Sequence, residues 1–364
     1  MDKCIGGQFT FSTAAAGMCR ISQYGRIFGG GSVVEPRVLG QTGLAVSPMG
    51  LGLAALGRPG YINLGHAADL ARDYEFARME GHAHAVLDAA WEAGVRYFDA
   101  ARSYGRAEAF LATWLAKGQI APGAVTVGSK WGYTYTAGWK AEAERHEVKD
   151  HSLATLLRQA AESREMLGPY LRLYQIHSAT AESGVLEDRA VLEELARLRG
   201  QGWKVGLTVT GPNQGETVRR ALGVTVGVER LFDCVQATWN LLEPSTGPAL
   251  EEAKAAGLGV IVKEALANGR LTARNNDPAF TAGRRRLEEE AARFGVSLDA
   301  LALAAVLARP WVDVVLSGAA AVDQLRSNLA ALAVPWDQRV SEMADSLAES
   351  PEDYWHTRGR LAWN

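Results

Sequence analysis

The sequence predicts an α/β fold, a (β/α)8 TIM barrel with an N-terminal β-hairpin. From Arg37 onward, short β-branched runs alternate with amphipathic helical patterns, which is typical of a parallel sheet built from βα units. Eight such runs can be counted, and polar residues able to do chemistry follow three successive runs. A length of 364 residues, 48% of them hydrophobic, fits one barrel with a large core.

The elements are predicted in the following order. A hairpin pairs residues 37–40 with 44–46 through a Thr42-Gly43 turn. The eight strands are predicted at 49–56, 96–101, 125–130, 171–177, 204–210, 234–239, 259–265 and 312–317. Helical patterns between them include 84–93, 152–167, 186–201 and 322–332. Longer insertions are expected at 57–80 and 273–295.

The ends of the chain are predicted to lie outside this barrel, which we place at 34–340. Residues 1–33 are rich in Gly and Ser, and Asp2 is the only acid before Glu35. They lack the apolar core of a secretory signal, which leaves a non-core or disordered extension, a segment of no function or an organelle transit peptide. The tail, 341–364, is expected either to contact the barrel mouth or to pack on the barrel.

Composition favours a cytoplasmic enzyme over a nucleic-acid-binding, membrane-spanning, disulfide-rich or metal-binding protein. A formal net charge of −3 gives no electrostatic reason to bind nucleic acid or an acidic membrane. Cys4, Cys19 and Cys234 are too few and too scattered for a disulfide framework or a zinc site. The histidines show no metal-binding spacing, and the best apolar stretch, 298–316, is interrupted by charged residues. We therefore expect no metal and no membrane span.

Four residues able to hold or move a proton lie at the ends of three successive predicted strands. Asp99 and Tyr104 lie at or just past the end of the second strand, Lys130 ends the third and His177 ends the fourth. In a parallel barrel these strand ends share one mouth, where such barrels do chemistry. We therefore expect the four side chains to converge.

Carbonyl reduction needs a hydride on carbon and a proton on oxygen, and these four residues suit the proton step. Tyr104 can supply the proton, although the ordinary pKa of tyrosine is about 10. Lys130 beside the phenol is expected to lower that pKa, while Asp99 would keep the amine in place and charged. A neutral His177 can hydrogen-bond the carbonyl oxygen and orient it.

The segments around these residues resemble the aldo-keto reductase superfamily. Its Asp-Tyr-Lys-His tetrad is matched in order and sequence context. The matching segments are Phe98-Asp99-Ala100 and Tyr104-Gly105, followed by Lys130 and His177 at the next two strand ends. The resemblance spans about residues 37 to 332. It implies an NAD(P)(H)-dependent oxidoreductase that interconverts an aldehyde, ketone or sugar lactol and an alcohol, with Tyr104 as general acid and base.

The resemblance also implies a nicotinamide cofactor held in extended form by strands five to eight. Gln236 and Thr208 match positions that contact the carboxamide, but Val209 stands where the family usually has asparagine. Lys263 occupies the place of an aromatic residue that stacks on the nicotinamide in many relatives. Trp239 is expected either to line the ring's surroundings or to lie in the core. The remaining positions expected to bind the cofactor are Leu266, Gly269, Ser317, Gly318, Ala319, Gln324 and Asn328.

The preferred cofactor and the substrate are less sharply indicated. The helix that follows the eighth strand offers its N-terminus to a phosphate, and Arg326 is the cation in its first turns, which favours NADP(H) over NAD(H). Gly318 and Gln324 stand where many NADP-using relatives carry Lys or Arg. For the substrate, Tyr61, Trp131 and Tyr133 form an expected aromatic pocket.

Two function classes and the oligomeric state are left open. An enzyme acting on a small carbonyl compound or sugar is favoured, and the alternative is a cofactor-binding regulatory barrel that senses redox state with little or no turnover.

Overall fold

The computed structural model describes residues 35–364, so the expectations for residues 1–33 lie outside the described part of the chain. The strands are β1 (Arg37–Val38), β2 (Ala45–Val46), β3 (Met49–Gly52), β4 (Tyr97–Asp99), β5 (Thr126–Trp131), β6 (Tyr133–Tyr135), β7 (Glu147–Lys149), β8 (Leu171–Ala179), β9 (Lys204–Val209), β10 (Thr225–Val226), β11 (Glu229–Arg230), β12 (Cys234–Thr238), β13 (Gly259–Lys263) and β14 (Val314–Ser317). The helices are α1 (His66–Asp69), α2 (Phe76–Glu92), α3 (Ala107–Lys117), α4 (Leu153–Leu167), α5 (Arg189–Gly200), α6 (Gln214–Leu222), α7 (Gly247–Ala255), α8 (Thr281–Phe294), α9 (Leu298–Leu307), α10 (Val322–Leu329), α11 (Gln338–Asp345) and α12 (Pro351–Gly359).

Eight of these strands close into a parallel barrel in the order β3, β4, β5, β8, β9, β12, β13, β14. The register pairs Asp99 of β4 with Gly128 of β5, and Lys130 of β5 with Gln175 of β8. The ends of β4, β5 and β8 therefore adjoin at one mouth. The predicted (β/α)8 barrel is confirmed.

The opposite end of the barrel is closed by the antiparallel β1–β2 hairpin, in which Arg37 pairs with Val46. Leu39 of its turn is fully buried in one cluster with Tyr97 of β4. Gly40, at φ +49°, has no room for a side chain, because a Cβ there would lie 2.2 Å from the backbone nitrogen of Gly259. This close approach seals the floor, so ligands must enter from the mouth.

Several boundaries differ from the sequence prediction. β3 ends at Gly52 rather than at residue 56, because residues 53–56 turn away from the sheet. β8 continues to Ala179, and a register shift after Ile176 puts Ser178 at φ +56°, so His177 lies within a bulged strand rather than at its end. The insertion expected at 273–295 contains helix α8.

Two further parts of the chain frame the mouth. The antiparallel hairpin β6–β7 follows β5 and contributes Tyr133 and Glu147 to the cavity described below. In the tail, Tyr354 of α12 is fully buried, and backbone hydrogen bonds of 3.1 Å and 3.2 Å join Asn364 to Tyr61. Within residues 35–364, every helix is too short or too polar to cross a membrane.

Candidate active site

A cavity of about 660 Å³ opens at the mouth of the barrel and contains Asp99, Tyr104 and His177 in its wall. Its volume lies in the usual range for small-molecule sites. Asp99 is the last residue of β4, and Lys130 lies one residue before the end of β5. The parallel register brings these side chains together, as the sequence predicted.

Lys130 and Asp99 form a buried ion pair beneath the cavity, each side chain being 1–2% exposed. The ammonium also donates to the carbonyl oxygen of Ala100 at 3.0 Å. The other oxygen of Asp99 accepts from the Tyr97 hydroxyl and from Nε2 of Gln236, both at 3.1 Å. These hydrogen bonds compensate the buried charges, which would otherwise be costly.

Tyr104 lies in the turn after β4 and meets both Lys130 and His177. Its ring centre is 4.8 Å from Nζ of Lys130 and 5.5 Å from the imidazole ring, which it contacts edge-on. The turn requires Gly105 at φ +59°, because a Cβ there would lie 2.4 Å from the Gly57 carbonyl oxygen. The glycine that follows the tyrosine is therefore required by the close packing of this turn.

The expected lowering of the Tyr104 pKa by Lys130 is not what the structure shows. Burial raises the pKa of Tyr104 well above 10, and the charge of Asp99 raises it further. Arg58 acts in the opposite direction and lowers it. The physical reason is that the carboxylate of Asp99, in contact with Lys130, cancels much of the lysine charge at the phenol. Tyr104 is therefore held protonated, with its O–H proton in place.

His177 is held neutral, as the sequence predicted. Burial lowers the pKa of His177 well below 6.5, and the positive charges of Lys130 and Lys263 lower it further. Its Nδ1 lies 3.5 Å from Oγ of Ser103. Because the neutral ring keeps one N–H, it can hydrogen-bond a substrate oxygen in the cavity without carrying charge.

A set of charged side chains that the sequence did not predict also lines the cavity. Arg58 bonds Glu147 at 2.9 Å, and Arg358 of α12 pairs with Glu264 next to Lys263. These residues lie far apart along the chain, and the spacing along the sequence carries no signal for them. Arg58 directly follows Gly57 in a loop whose path could not be predicted.

Most of the positions expected to bind a cofactor face this cavity. They are Gln236, Lys263, Leu266, Gly269, Ser317, Gly318, Ala319, Gln324 and Asn328. Lys263 donates to Oγ1 of Thr238 at 2.8 Å, and burial lowers its pKa to about 8. At the other end, Asn328 donates to Oγ of Ser317 at 2.9 Å, so these two polar side chains already support each other.

Three expected positions do not line the cavity. Thr208 is buried, and its hydroxyl accepts from the backbone N–H of Ser178 at 2.7 Å. Trp239 donates to the carbonyl of Pro244 and packs edge-on against another tryptophan, in the core. Trp131 is fully buried outside the barrel interior. Consecutive residues of a strand point to opposite faces, and because Lys130 points into the barrel, Trp131 points away from it. The expectations for Thr208 and Trp131 are corrected, and Trp239 follows the core alternative that the sequence left open; Tyr61 and Tyr133, expected at the substrate, do line the cavity.

The residues present fit a nicotinamide dinucleotide. Between the expected cofactor positions Leu266 and Gly269, Asn268 is 4% exposed and lines the cavity, yet its side-chain oxygen has no hydrogen-bond partner among residues 35–364. Gly318 exposes its backbone, because a Cβ there would meet nothing within 4 Å of it. The unpaired Asn268 oxygen can accept a hydrogen bond from a ligand O–H or N–H, and exposed backbone N–H groups can donate to ligand oxygens. Within the described residues, no cluster of side chains could hold a metal ion.

The comparisons with known proteins agree with this geometry. The profile described as Aldo/keto reductase family matches residues 48–349, which is most of the chain. The chain belongs to the aldo/keto reductase family. Pyridoxal 4-dehydrogenase of Microbacterium luteolum is 26% identical over 367 residues, covering 89% of this chain and 96% of that protein. The uncharacterised oxidoreductase YqkF of Bacillus subtilis strain 168 is 26% identical, covering 82% and 91%.

Solved structures show the same fold for this aldo-keto reductase. The holo form of aldo-keto reductase AKR11C1 from Bacillus halodurans superposes with a TM-score of 0.68 at 20% identity, covering 87% of this chain and 97% of that one. The chain is therefore an oxidoreductase of carbonyl and alcohol groups, and it belongs to a family that uses nicotinamide cofactors.

Proposed function

We propose that this aldo-keto reductase interconverts a small carbonyl compound and its alcohol with NAD(H) or NADP(H), using Tyr104 as general acid and base. The observation that carries the proposal is the position of the Tyr104 phenol. It lies in the cavity wall, beside the Asp99–Lys130 pair and edge-on to a neutral His177. The nicotinamide, when bound, supplies or accepts the hydride.

The residues of the chain then provide the proton and the orientation. His177, neutral and facing the cavity, donates a hydrogen bond to the carbonyl oxygen and holds it near Tyr104. In the reductive direction Tyr104 gives its proton to that oxygen, and in the oxidative direction the phenolate takes a proton from the alcohol. The Asp99–Lys130 ion pair, almost completely buried, lies beside the phenol, with Nζ of Lys130 4.8 Å from the centre of the Tyr104 ring.

The preference between the two cofactors is a proposal of its own. The sequence favours NADP(H) through Arg326, but that side chain is exposed and does not line the cavity. Asp299 and Asp323 line it instead, as do Gln324 and Asn328. A carboxylate repels a 2′-phosphate and accepts a hydrogen bond from a ribose hydroxyl, so we favour NAD(H).

The nature of the wall supports an aldehyde or lactol that carries polar groups. Tyr61 and Tyr133 supply aromatic surface, and Arg58, Glu147 and Arg358 add donors and acceptors. Pyridoxal, named in one relative, carries an aldehyde and polar groups on an aromatic ring, which suits such a wall. It is therefore the first substrate to test.

One panel distinguishes this enzyme from the regulatory barrel that the sequence leaves open. Pyridoxal, simple aldehydes and aldoses are each mixed with the full chain and NADH, NADPH, NAD⁺ or NADP⁺, and nicotinamide absorbance is followed. Substrate-dependent turnover that Tyr104→Phe abolishes supports the enzyme. Tight cofactor binding without turnover of any panel member favours the regulatory barrel.

A further inference from the structure

Arg58 is fixed against the turn that carries Tyr104. Its side chain is 3% exposed, and its guanidinium carbon lies 5.2 Å from the centre of the Tyr104 ring. One terminal nitrogen donates to the carbonyl oxygen of Ser103, the residue before the tyrosine, at 3.0 Å. The cation and the phenol are therefore held by the same short piece of backbone.

The charge of Arg58 is less compensated than that of Lys130. Lys130 is in contact with Asp99, and both are almost completely buried, so the pair presents little net charge to the phenol. Within residues 35–364, Arg58 is paired with Glu147, whose side chain is 23% exposed on the separate hairpin β6–β7. Solvent screens that carboxylate more than it screens Arg58.

The guanidinium also keeps unused hydrogen-bonding capacity. Nε of Arg58 is buried and has no partner among residues 35–364, although an unpaired buried donor costs stability. The guanidinium carbon also lies 5.1 Å from the centre of the Tyr61 ring and 4.8 Å from that of Trp363, so the cation is held among aromatic rings with its Nε still unbonded.

We propose that Arg58 is a positioning residue that stabilises the Tyr104 phenolate during proton transfer. The inference rests on the proposed function of Tyr104. When Tyr104 gives its O–H proton to the substrate oxygen, the negative charge left on the phenol lies beside the guanidinium. When the alcohol is oxidised, the same charge is present before the phenolate takes the proton.

Glu147 offers a matched comparison to Arg58, because its charge shifts the pKa of Tyr104 in the opposite direction. Arg58 lowers the pKa of Tyr104, whereas Glu147 raises it. The titratable and charged groups that face the phenol are Asp99, Lys130, His177, Arg58, Glu147, Glu264 and Tyr61. The Arg58–Glu147 ion pair can be changed at either end without touching the Asp99–Lys130 pair.

The test compares Arg58→Gln, Arg58→Lys and Glu147→Gln in the full chain. Oxidation of 4-nitrobenzyl alcohol and reduction of 4-nitrobenzaldehyde are measured over a pH series with saturating cofactor. We expect Arg58→Gln to lower the oxidation rate by about 10-fold at constant pH, the effect of one unit in the phenol pKa. Glu147→Gln should raise the oxidation rate, because it removes a charge that disfavours the phenolate, and Arg58→Lys should retain most of the wild-type rate.

A purely structural role predicts a different pattern, since both glutamine variants break the same ion pair. Equal losses in Arg58→Gln and Glu147→Gln, or no rescue by Arg58→Lys, would overturn the proposal. Tryptophan fluorescence titration with cofactor checks that binding is unchanged.

If the wild-type chain turns over neither these two probes nor any member of the substrate panel, the proposed function fails, and the tyrosinate absorbance still decides the role of Arg58. Each variant is then compared with its Tyr104→Phe double mutant in an alkaline titration. Tyr104 should ionise at lower pH in Glu147→Gln than in Arg58→Gln, and the reverse order would overturn the inference.

Discussion

The guanidinium of Arg358 and the carboxylate of Glu264 are joined by two hydrogen bonds, of 3.1 Å and 2.5 Å, beside the cavity. Glu264 directly follows β13, and Arg358 lies near the end of α12. The pair therefore attaches the C-terminal helix to the barrel mouth. Such two-point pairs are among the stronger and more directional ion pairs in proteins.

The Glu264–Arg358 pair should make stability depend on acid pH. Burial raises the pKa of Glu264, but Arg358 and Lys263 outweigh it and lower the pKa from 4.5 to about 2. Since the folded pKa is the lower one, the stabilisation is complete above pH 4.5 and is lost as the pH falls toward 2. It is on the order of 3 kcal/mol.

Urea unfolding at a series of pH values measures this contribution. Glu264→Gln should be less stable than the wild type near neutral pH, and the difference should shrink as the pH falls below about 4.5. Glu352→Gln, which changes an exposed carboxylate in the same helix, should show no such pH-dependent difference. A constant deficit for Glu264→Gln at all pH values would contradict the assignment.

Tyr104→Phe should lower turnover by at least ~10²-fold, because it removes the O–H that is positioned to protonate the substrate oxygen. Cofactor affinity, followed by quenching of tryptophan fluorescence, should barely change. Tyr133→Phe is the control, since Tyr133 also lines the cavity but lies against His177 rather than Lys130. Near wild-type turnover in Tyr104→Phe would remove this residue from the mechanism.

Asp99 and Lys130 should behave as one unit. Because the ammonium and the carboxylate are in contact and buried, Lys130→Met and Asp99→Asn should each cost turnover. The double mutant should be about as slow as Lys130→Met alone, since residues that act together show strongly non-additive effects. Steady-state rates of the three variants, with circular dichroism to check folding, give the coupling. Simple addition of the two free-energy losses would show that the residues act independently.

The cofactor proposal predicts tighter binding of NADH than of NADPH by the wild-type chain. Replacing Asp299 and Asp323 together by Asn should tighten NADPH binding by ~3- to 10-fold, because each removed carboxylate at a partly exposed site contributes up to about 1 kcal/mol. NADH binding should change much less. Arg326→Ala tests the competing view, under which NADPH binding alone weakens. Fluorescence titration of all three proteins with both cofactors distinguishes the two.

The sequence by itself determined the barrel and the order of Asp99, Tyr104, Lys130 and His177. Strand and helix periodicity are local properties of the chain, and parallel strands must present their ends at one mouth. Alternation along β5 also carried a signal that was overlooked: if Lys130 points into the barrel, Trp131 must point away from it.

Only the tertiary structure decided which charges surround the phenol. Arg58 meets Glu147 across 89 residues and Glu264 meets Arg358 across 94, and the paths of the intervening loops depend on packing rather than on local pattern. The net pKa direction of Tyr104 depends on burial and on the cancellation of Lys130 by Asp99. Such effects depend on distances through space, and the spacing of residues along the chain does not contain them.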